Sequence, residues 1–571
     1  MSWIFGVIGN EATNSNRYVD IHAVPGCHDV GPHHYVACGG SALTSRAGTC
    51  AEGRYLGWAV AGMALDADAT HVTPRRARDW ERILQNDNLL RAAVGGAYVA
   101  VRWRDDFIEA FADPLGVRTL YFIQLENGIA FSTRIDWLSR LLGGVNVDFE
   151  GLGSGRMAFS PLTTATGVDG IRRLGPNGHL RYDPQSLVLQ EDAWEPSHGD
   201  EANLEEELSL LTRPTLIEKQ SVSLGFSGGI DSRVLLALLS KNHTVPFSLH
   251  LFGAEDEPDV QLARKIAKAT GQDCTYFSDS LPPPNECWDL LGRYVPLTNG
   301  LSAASTLLEK RHYTTLSGQG KLLLFGMFGE LMRRQFFLRF LFRGAGTILS
   351  RGDPREILYH VRVSRPSLFI PEVNRHLERG ALRQMEALLA AMPPVSDVGA
   401  ENYLDLISLR SKLPNGLMAH QAIVDAAGGG YTPFAQQSVL NAIFSVPPAS
   451  RRGSQLARKM IKERAPLLAR YPLVMNDAFY PFGCPMAVAR AWTRIRRSTS
   501  FHEQTIHKVL RHLSEGIQDM AHDTEVQAYA PYDHPNLLRR IEAYYTGENR
   551  YGRVVESWLT FELWRRAIMS G

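Results

Sequence analysis

Short apolar runs separated by turn residues fill the first two hundred positions. Residues 4–8 are continuously apolar, as a central strand requires. Residues 94–103 concentrate β-forming side chains, with Tyr98, Val99 and Val101 among them. Residues 107–111 and 119–124 read as two further strands joined by the turn Asp113-Pro114-Leu115-Gly116. Residues 170–182 read as a hairpin around Gly175-Pro176-Asn177-Gly178. The polar stretch Glu195-Pro196-Ser197-His198-Gly199-Asp200 is the best linker candidate.

Past that linker the pattern changes. Residues 222–226 form a short apolar strand, and residues 234–239 are dense in Leu and Ala, like the start of a buried helix. A second strand follows at residues 247–251 and a helix at 260–269. Strands alternating with helices imply a parallel α/β sheet. From about residue 354 helical periodicity dominates, and neither an internal repeat nor a low-complexity tract is visible.

Composition narrows the classes. At about 100–200 residues per domain, 571 residues make two to four domains. Lys plus Arg and Asp plus Glu both total 60, so the formal net charge is zero and bulk capture of nucleic acid or anionic membrane is not indicated. Six cysteines (Cys27, Cys38, Cys50, Cys274, Cys287 and Cys484) include no CxxC pair, which argues against a zinc site and against a disulfide scaffold. No apolar stretch of about 20 residues is present and the start carries no basic, apolar leader, so the expected compartment is the cytoplasm, with no membrane span.

One loop carries candidate chemistry. Ser227-Gly228-Gly229-Ile230-Asp231-Ser232 lies between the strand at 222–226 and the helix after it. Two glycines let the backbone approach a ligand, and unpaired N–H groups at a helix start make an anion site. Ser227 and Ser232 add hydroxyls, and Asp231 adds a carboxylate suited to Mg²⁺. A plain helix N-cap is the structural alternative. A Walker A loop is excluded, because no Lys follows the last Gly.

This loop resembles the pyrophosphate-binding SGGxDS motif of the asparagine synthetase-like, ATP-cleaving ligases. Further segments resemble that family in its order. They are the second strand Phe247-Ser248-Leu249-His250-Leu251, the helix with Asp259 and Ala263-Arg264-Lys265-Ile266-Ala267, and the loop Leu323-Leu324-Phe325-Gly326-Met327-Phe328-Gly329-Glu330. Tyr431-Thr432-Pro433-Phe434 and Phe444-Ser445-Val446-Pro447-Pro448 complete the set. In the first half, Met1-Ser2-Trp3-Ile4-Phe5-Gly6, residues 111–122 and Gly170-Ile171-Arg172-Arg173-Leu174 resemble the family's glutaminase part. The resemblance implies an α/β chain. Residues 1–195 would form a glutaminase-like (Ntn-type) αββα sandwich. Residues 205–571 would form a parallel-sheet ATP-pyrophosphatase (adenine nucleotide α-hydrolase-like) domain with a helical C-terminal part.

The resemblance also implies roles. Ser227, Gly228, Gly229, Asp231, Ser232, Leu251 and Gly326 would bind ATP. Asp231 and Glu330 would hold Mg²⁺, and Arg458, rather than Lys459, would face pyrophosphate. Ser2 stands where the family has its nucleophilic Cys, and the glutamine-binding segments are missing, so the glutaminase is expected to be silent. Of the branches that lose the Cys, the lasso-peptide macrolactam synthetases are the more similar. That implies an AMP-forming ligase that adenylates an Asp or Glu side chain of a precursor peptide and closes an isopeptide ring with its α-amine, with leader-binding and protease proteins as partners. A small-molecule amide ligase, such as a β-lactam synthetase or an ammonia-dependent asparagine synthetase, and a catalytically silent peptide-binding scaffold stay open. Met327 stands where relatives place Glu or Tyr near the attacking amine. An α-amine with a pKa of about 7.7–8.0 is partly neutral without a base. Arg333, Arg334, Arg339 and Arg343 alternate with Phe336, Phe337, Phe340 and Phe342, which fits either a partly buried helix or a surface for a peptide or acidic partner. His33-His34 reads as a surface turn.

Overall fold

The computed structural model describes residues 2–10, 26–40, 45–48, 55–68, 70–85, 95–192, 194–196, 203–216, 219–241, 245–334, 336–363, 365–495 and 500–569. Met1, Val94 and residues 197–200 of the expected linker lie outside them.

Two antiparallel sheets build the first part. In one, the neighbours run Arg172–Arg173, Tyr121–Leu125, Gly128–Ser132, Trp3–Gly9, His34–Gly39 and Cys27–Val30. In the other they run Ser186–Gln190, His179–Asp183, Phe107–Ala112, Gly95–Arg104, Gly57–Ala67 and Ser45–Gly48, with Val72–Pro74 also on Gly57–Ala67. Side chains alternate across a strand. Ile4 and Ile8 therefore enter the core between the sheets, where they meet Val99, Val101 and Ile108. Trp3, Phe5 and Val7 face the other way, onto the helices Ile135–Leu141, Pro284–Leu297 and Gly552–Met569. The outer face of the second sheet packs Trp58 and Tyr98 against Trp80 and Leu84 of the helix Ala77–Gln85. The result is a helix–sheet–sheet–helix stack whose last layer is completed by helices from beyond residue 205.

Two sequence expectations need correction here. The turn at Gly175–Gly178 forms, with the Gly178 N–H bonded to the Gly175 carbonyl at 3.1 Å. Its flanks are not a hairpin: Arg172–Arg173 pairs with Tyr121–Leu125 in one sheet, and His179–Asp183 pairs with Phe107–Ala112 and Ser186–Gln190 in the other. The turn carries the chain between sheets. His34 is not a surface residue; it is buried at the start of a strand, with Nδ1 2.9 Å from Asp105 and Nε2 3.4 Å from Asp29.

The second part holds a five-stranded parallel sheet in the order Cys274–Ser278, Phe247–Gly253, Ser221–Gly225, Lys321–Leu324, Gly430–Tyr431. The strand that comes first in sequence is central, so strand order reverses there. In open parallel sheets this reversal opens a crevice at the carboxyl ends of the strands. Val222, Leu224, Leu249 and Leu322 are buried, as a sheet covered on both faces requires. Beyond residue 354 the chain is mostly helical, apart from the edge strand Gly430–Tyr431 and the small sheet Leu473–Met475 with Ala478–Tyr480. Among the described residues, no helix is long and apolar enough to cross a membrane.

Candidate functional site

A cleft of about 410 Å³ opens at that strand reversal. Three strand ends supply its walls: Gly225 to Ser227, His250 to Phe252, and Phe325 to Met327. Apolar side chains (Leu251, Val260, Phe325, Met327) face a few polar ones (Ser227, Asp231, Ser232, Glu330), the composition of a small-molecule site.

The Ser227–Ser232 loop is shaped by its backbone. Gly228 is buried at φ 71°, a conformation that a side chain resists. This kink turns the chain from the central strand into the helix Ile230–Lys241. The Ser227 hydroxyl accepts the Gly229 N–H at 3.3 Å, and the Ser232 hydroxyl donates to the Gly229 carbonyl at 3.1 Å. Underneath, the buried Arg233 donates to the Gly228 carbonyl at 2.8 Å and to the carbonyls of Leu468 and Tyr471 at 2.9 and 3.0 Å. Arg233 thus fastens the loop to a distant segment, and its burial pushes its pKa down to about 10. Gly228 is the one loop glycine that does not line the cleft; its role is the kink.

Asp231 projects from the first turn of that helix. One carboxylate oxygen pairs with Arg333 at 2.7 Å, while Oδ1 is buried without a hydrogen-bond partner. Burial pushes the carboxyl pKa up to about 7; Arg333 opposes the shift and the Glu330 charge adds to it. Glu330 and Arg333 lie at the two ends of one helical turn, Gly329–Met332 and its C-cap. The backbone at Gly329 comes so close that a Cβ there would stand 2.3 Å from Asp231 Cγ.

Two carboxylates in one cleft, one with an orphaned oxygen, fit a Mg²⁺ ion whose other ligands would be phosphate oxygens and water. Among the described residues there is no group of three or more His, Cys, Asp or Glu that could hold a metal by itself, so such an ion depends on its phosphate partner.

Of the residues singled out in the sequence, Ser227, Gly229, Asp231, Ser232, Leu251, Gly326, Met327 and Glu330 line the cleft. Arg458 is not among the lining residues. It stacks 5.8 Å from the Phe482 ring, donates to the Cys484 carbonyl at 2.8 Å, and keeps Nε and Nη2 buried and unpartnered. Lys459 is exposed and lies 4.0 Å from Glu463. Sequence reasoning missed Arg333 as a partner of Asp231. The signal was its spacing of three from Glu330, which places both on one face of a helical turn.

An acidic edge was missed as well. Glu257 and Asp259 line the cleft at the start of the helix Pro258–Thr270. Burial lifts Glu257 to about 7, reinforced by Asp259, Glu309 and Asp477. It lifts Asp259 to about 6, reinforced by Asp477 and opposed by Arg233.

No family model matches the chain, and no curated protein matches it. Among solved structures it is similar to an allosteric regulatory enzyme of purine biosynthesis, at 11% identity over 57% of this chain and 80% of that one, with a TM-score of 0.24. It is also similar to glutamine phosphoribosylpyrophosphate amidotransferase from B. subtilis complexed with ADP and GMP, at 10% identity over 57% of this chain and 81% of that one, with a TM-score of 0.23. Likenesses this slight carry no functional argument.

Proposed function

We propose that the protein is an AMP-forming, ATP-dependent carbon–nitrogen ligase that activates a peptide Asp or Glu side chain and closes a macrolactam with the peptide α-amine. One observation carries the reading: a glycine-kinked helix start at the strand reversal, with Asp231 and Glu330 both lining the cleft there. Helix-start N–H groups favour a leaving pyrophosphate. Leu251 and Val260 offer apolar walls for the adenine. Asp231 and Glu330 would hold Mg²⁺, which supplies positive charge against the phosphates. Arg458 lies outside the cleft lining, and its two unpartnered guanidinium nitrogens would reach pyrophosphate only if the side chain turned away from the Cys484 carbonyl.

In the first step a carboxylate oxygen bonds to the α-phosphorus of ATP and the bond to pyrophosphate breaks. In the second the amine nitrogen bonds to the acyl carbon, AMP leaves and the amine proton passes to water. Met327 lines the cleft and accepts no proton, so the second step rests on an already neutral amine held in place.

The amine source follows from Ser2. Its side chain is fully buried, its hydroxyl accepts the Gly62 N–H at 3.2 Å, and its carbonyl accepts Arg118 Nη2 at 2.7 Å. A hydroxyl so enclosed suits a structural role and not glutamine hydrolysis, so the N-terminal sandwich acts as a silent glutaminase-like scaffold. The precursor peptide reaches the cleft with leader-binding and protease proteins as partners.

The test is AMP release with precursor peptide and its protease partner, followed by mass spectrometry of the core peptide. Loss of one water from the core peptide, abolished together with AMP release in Asp231→Ala, is the expected result. Full turnover in Asp231→Ala would overturn the assignment of the site. AMP release with a core peptide that stays linear would overturn the macrolactam reading and favour a small-molecule amide ligase.

A further inference from the structure

The arginine–aromatic run splits in two. Arg333 is taken by Asp231, and Arg334 is buried against Glu401 at 3.7 Å and Asp405 at 3.1 Å. Arg339 and Arg343 instead line a separate groove of about 680 Å³ together with Arg156, Arg362 and Arg365, and Glu378 is the one acidic side chain in its lining. Glu378 reaches only Arg362, at 3.8 Å, and both are exposed. Arg365 donates to the carbonyls of Gly155 and Ala158, and Arg156 donates to the Ser557 hydroxyl at 3.2 Å, so neither has a counter-charge from these bonds. Burial and the nearby Arg365 push Arg156 down to about 10. No side-chain hydrogen bond or ion pair holds Arg339 or Arg343 among the described residues. The floor is apolar: His360 stacks flat on Phe340 at 4.4 Å. Tyr359, in the lining, is 70% exposed.

Uncompensated guanidinium groups over an aromatic floor match carboxylates carried on a partly apolar chain. We infer that this groove docks an extended acidic peptide segment, with Asp or Glu side chains on Arg339 and Arg343 and an apolar side chain against Tyr359. The groove is tied to the cleft by chain geometry. Arg333, on Asp231, and Arg339 are six residues apart, so their Cα atoms are separated by no more than about 22 Å. A peptide held here places a neighbouring carboxylate within reach of the adenylating site. This part of the inference rests on the ligase reading; the docking itself does not.

Fluorescence anisotropy of the full chain without ATP separates the two. The probe is a labelled peptide alternating Glu and Leu, with a Gln-for-Glu version and an oligothymidylate as comparisons. The expected result is binding of the Glu peptide that weakens with salt, is absent for the Gln version, and falls about tenfold or more in Arg339→Glu/Arg343→Glu. Both arginines are exposed, so the variant should fold, and an unchanged melting temperature checks this. No binding of the Glu peptide, or equal binding to the double variant, would overturn the proposal. Tighter, variant-sensitive binding of the oligothymidylate would assign the groove to nucleic acid instead. Because no turnover is read, a failed ligase assay leaves this result standing, and the reverse.

Discussion

At Asp231 burial resists the negative charge more than Arg333 relieves it, so the carboxyl keeps its proton up to about pH 7. A divalent ion must displace that proton, which couples metal binding to pH. Below pH 7 metal affinity should therefore rise about tenfold per pH unit, then level off as the free carboxylate becomes the resting form. Mn²⁺ titration, competed by Mg²⁺, at several pH values between 5.5 and 8.5 measures this. An affinity independent of pH would mean that Asp231 is not a ligand. At this scale the sequence was informative where a motif fixes identity and spacing together: Ser227, Asp231, Ser232 and Glu330 all reach one cleft. For Arg333 the composition of its arginine and phenylalanine run says nothing about which side chain turns inward, and the one signal is the spacing of three from Glu330.

Elements were legible to the degree that their partners were close in sequence. The strand Ser221–Gly225 and the helix Ile230–Lys241 follow from a buried apolar run and a glycine kink, both local. Gly175–Gly178 shows the limit. Turn chemistry sets the local backbone, but the flanking strands pair with segments far away in two different sheets. The two-residue strand Arg172–Arg173 carries no alternation to read. The second loop makes an element-level prediction. Gly329 lets the turn that carries Glu330 lie against Asp231, and a methyl group there would overlap the carboxylate. Gly329→Ala should keep the sheet, cost about 1–3 kcal/mol of stability, and lower kcat/KM for ATP about 100-fold, the cost of a displacement near 1 Å. Unchanged kinetics would show that the approach of loop and helix is unimportant.

Across the whole molecule, the antiparallel sheets up to Gln190 and the parallel sheet from Ser221 on do not enclose separate cores. One apolar cluster runs from Trp3 through Trp137 to Trp558 and Ile568. Polar groups also cross between the parts: Arg118 lies 3.3 Å from Asp425, Arg173 donates to Asn415 Oδ1 at 2.6 Å, and Gln436 Oε1 accepts the Gly96 N–H at 2.7 Å. Sequence reading misses this because a completed outer layer depends on contacts hundreds of residues apart. Burial shifts both members of the Arg118–Asp425 pair toward neutrality, Arg118 downward and Asp425 up to about 6. Such a pair adds little net stability, but removing one partner strands the other. Asp425→Ala should therefore cost about 3–5 kcal/mol in urea unfolding. A loss under about 1 kcal/mol would mean that water or another group satisfies Arg118.

The proposed function requires cleavage of ATP between its α- and β-phosphates. The most direct measurement is ³¹P NMR of the products when the full chain, Mg²⁺, ATP, precursor peptide and protease partner are incubated together. AMP and pyrophosphate in equal amounts, both dependent on the peptide, are the expected products. ADP and phosphate, or ATP left intact, would contradict the proposed function.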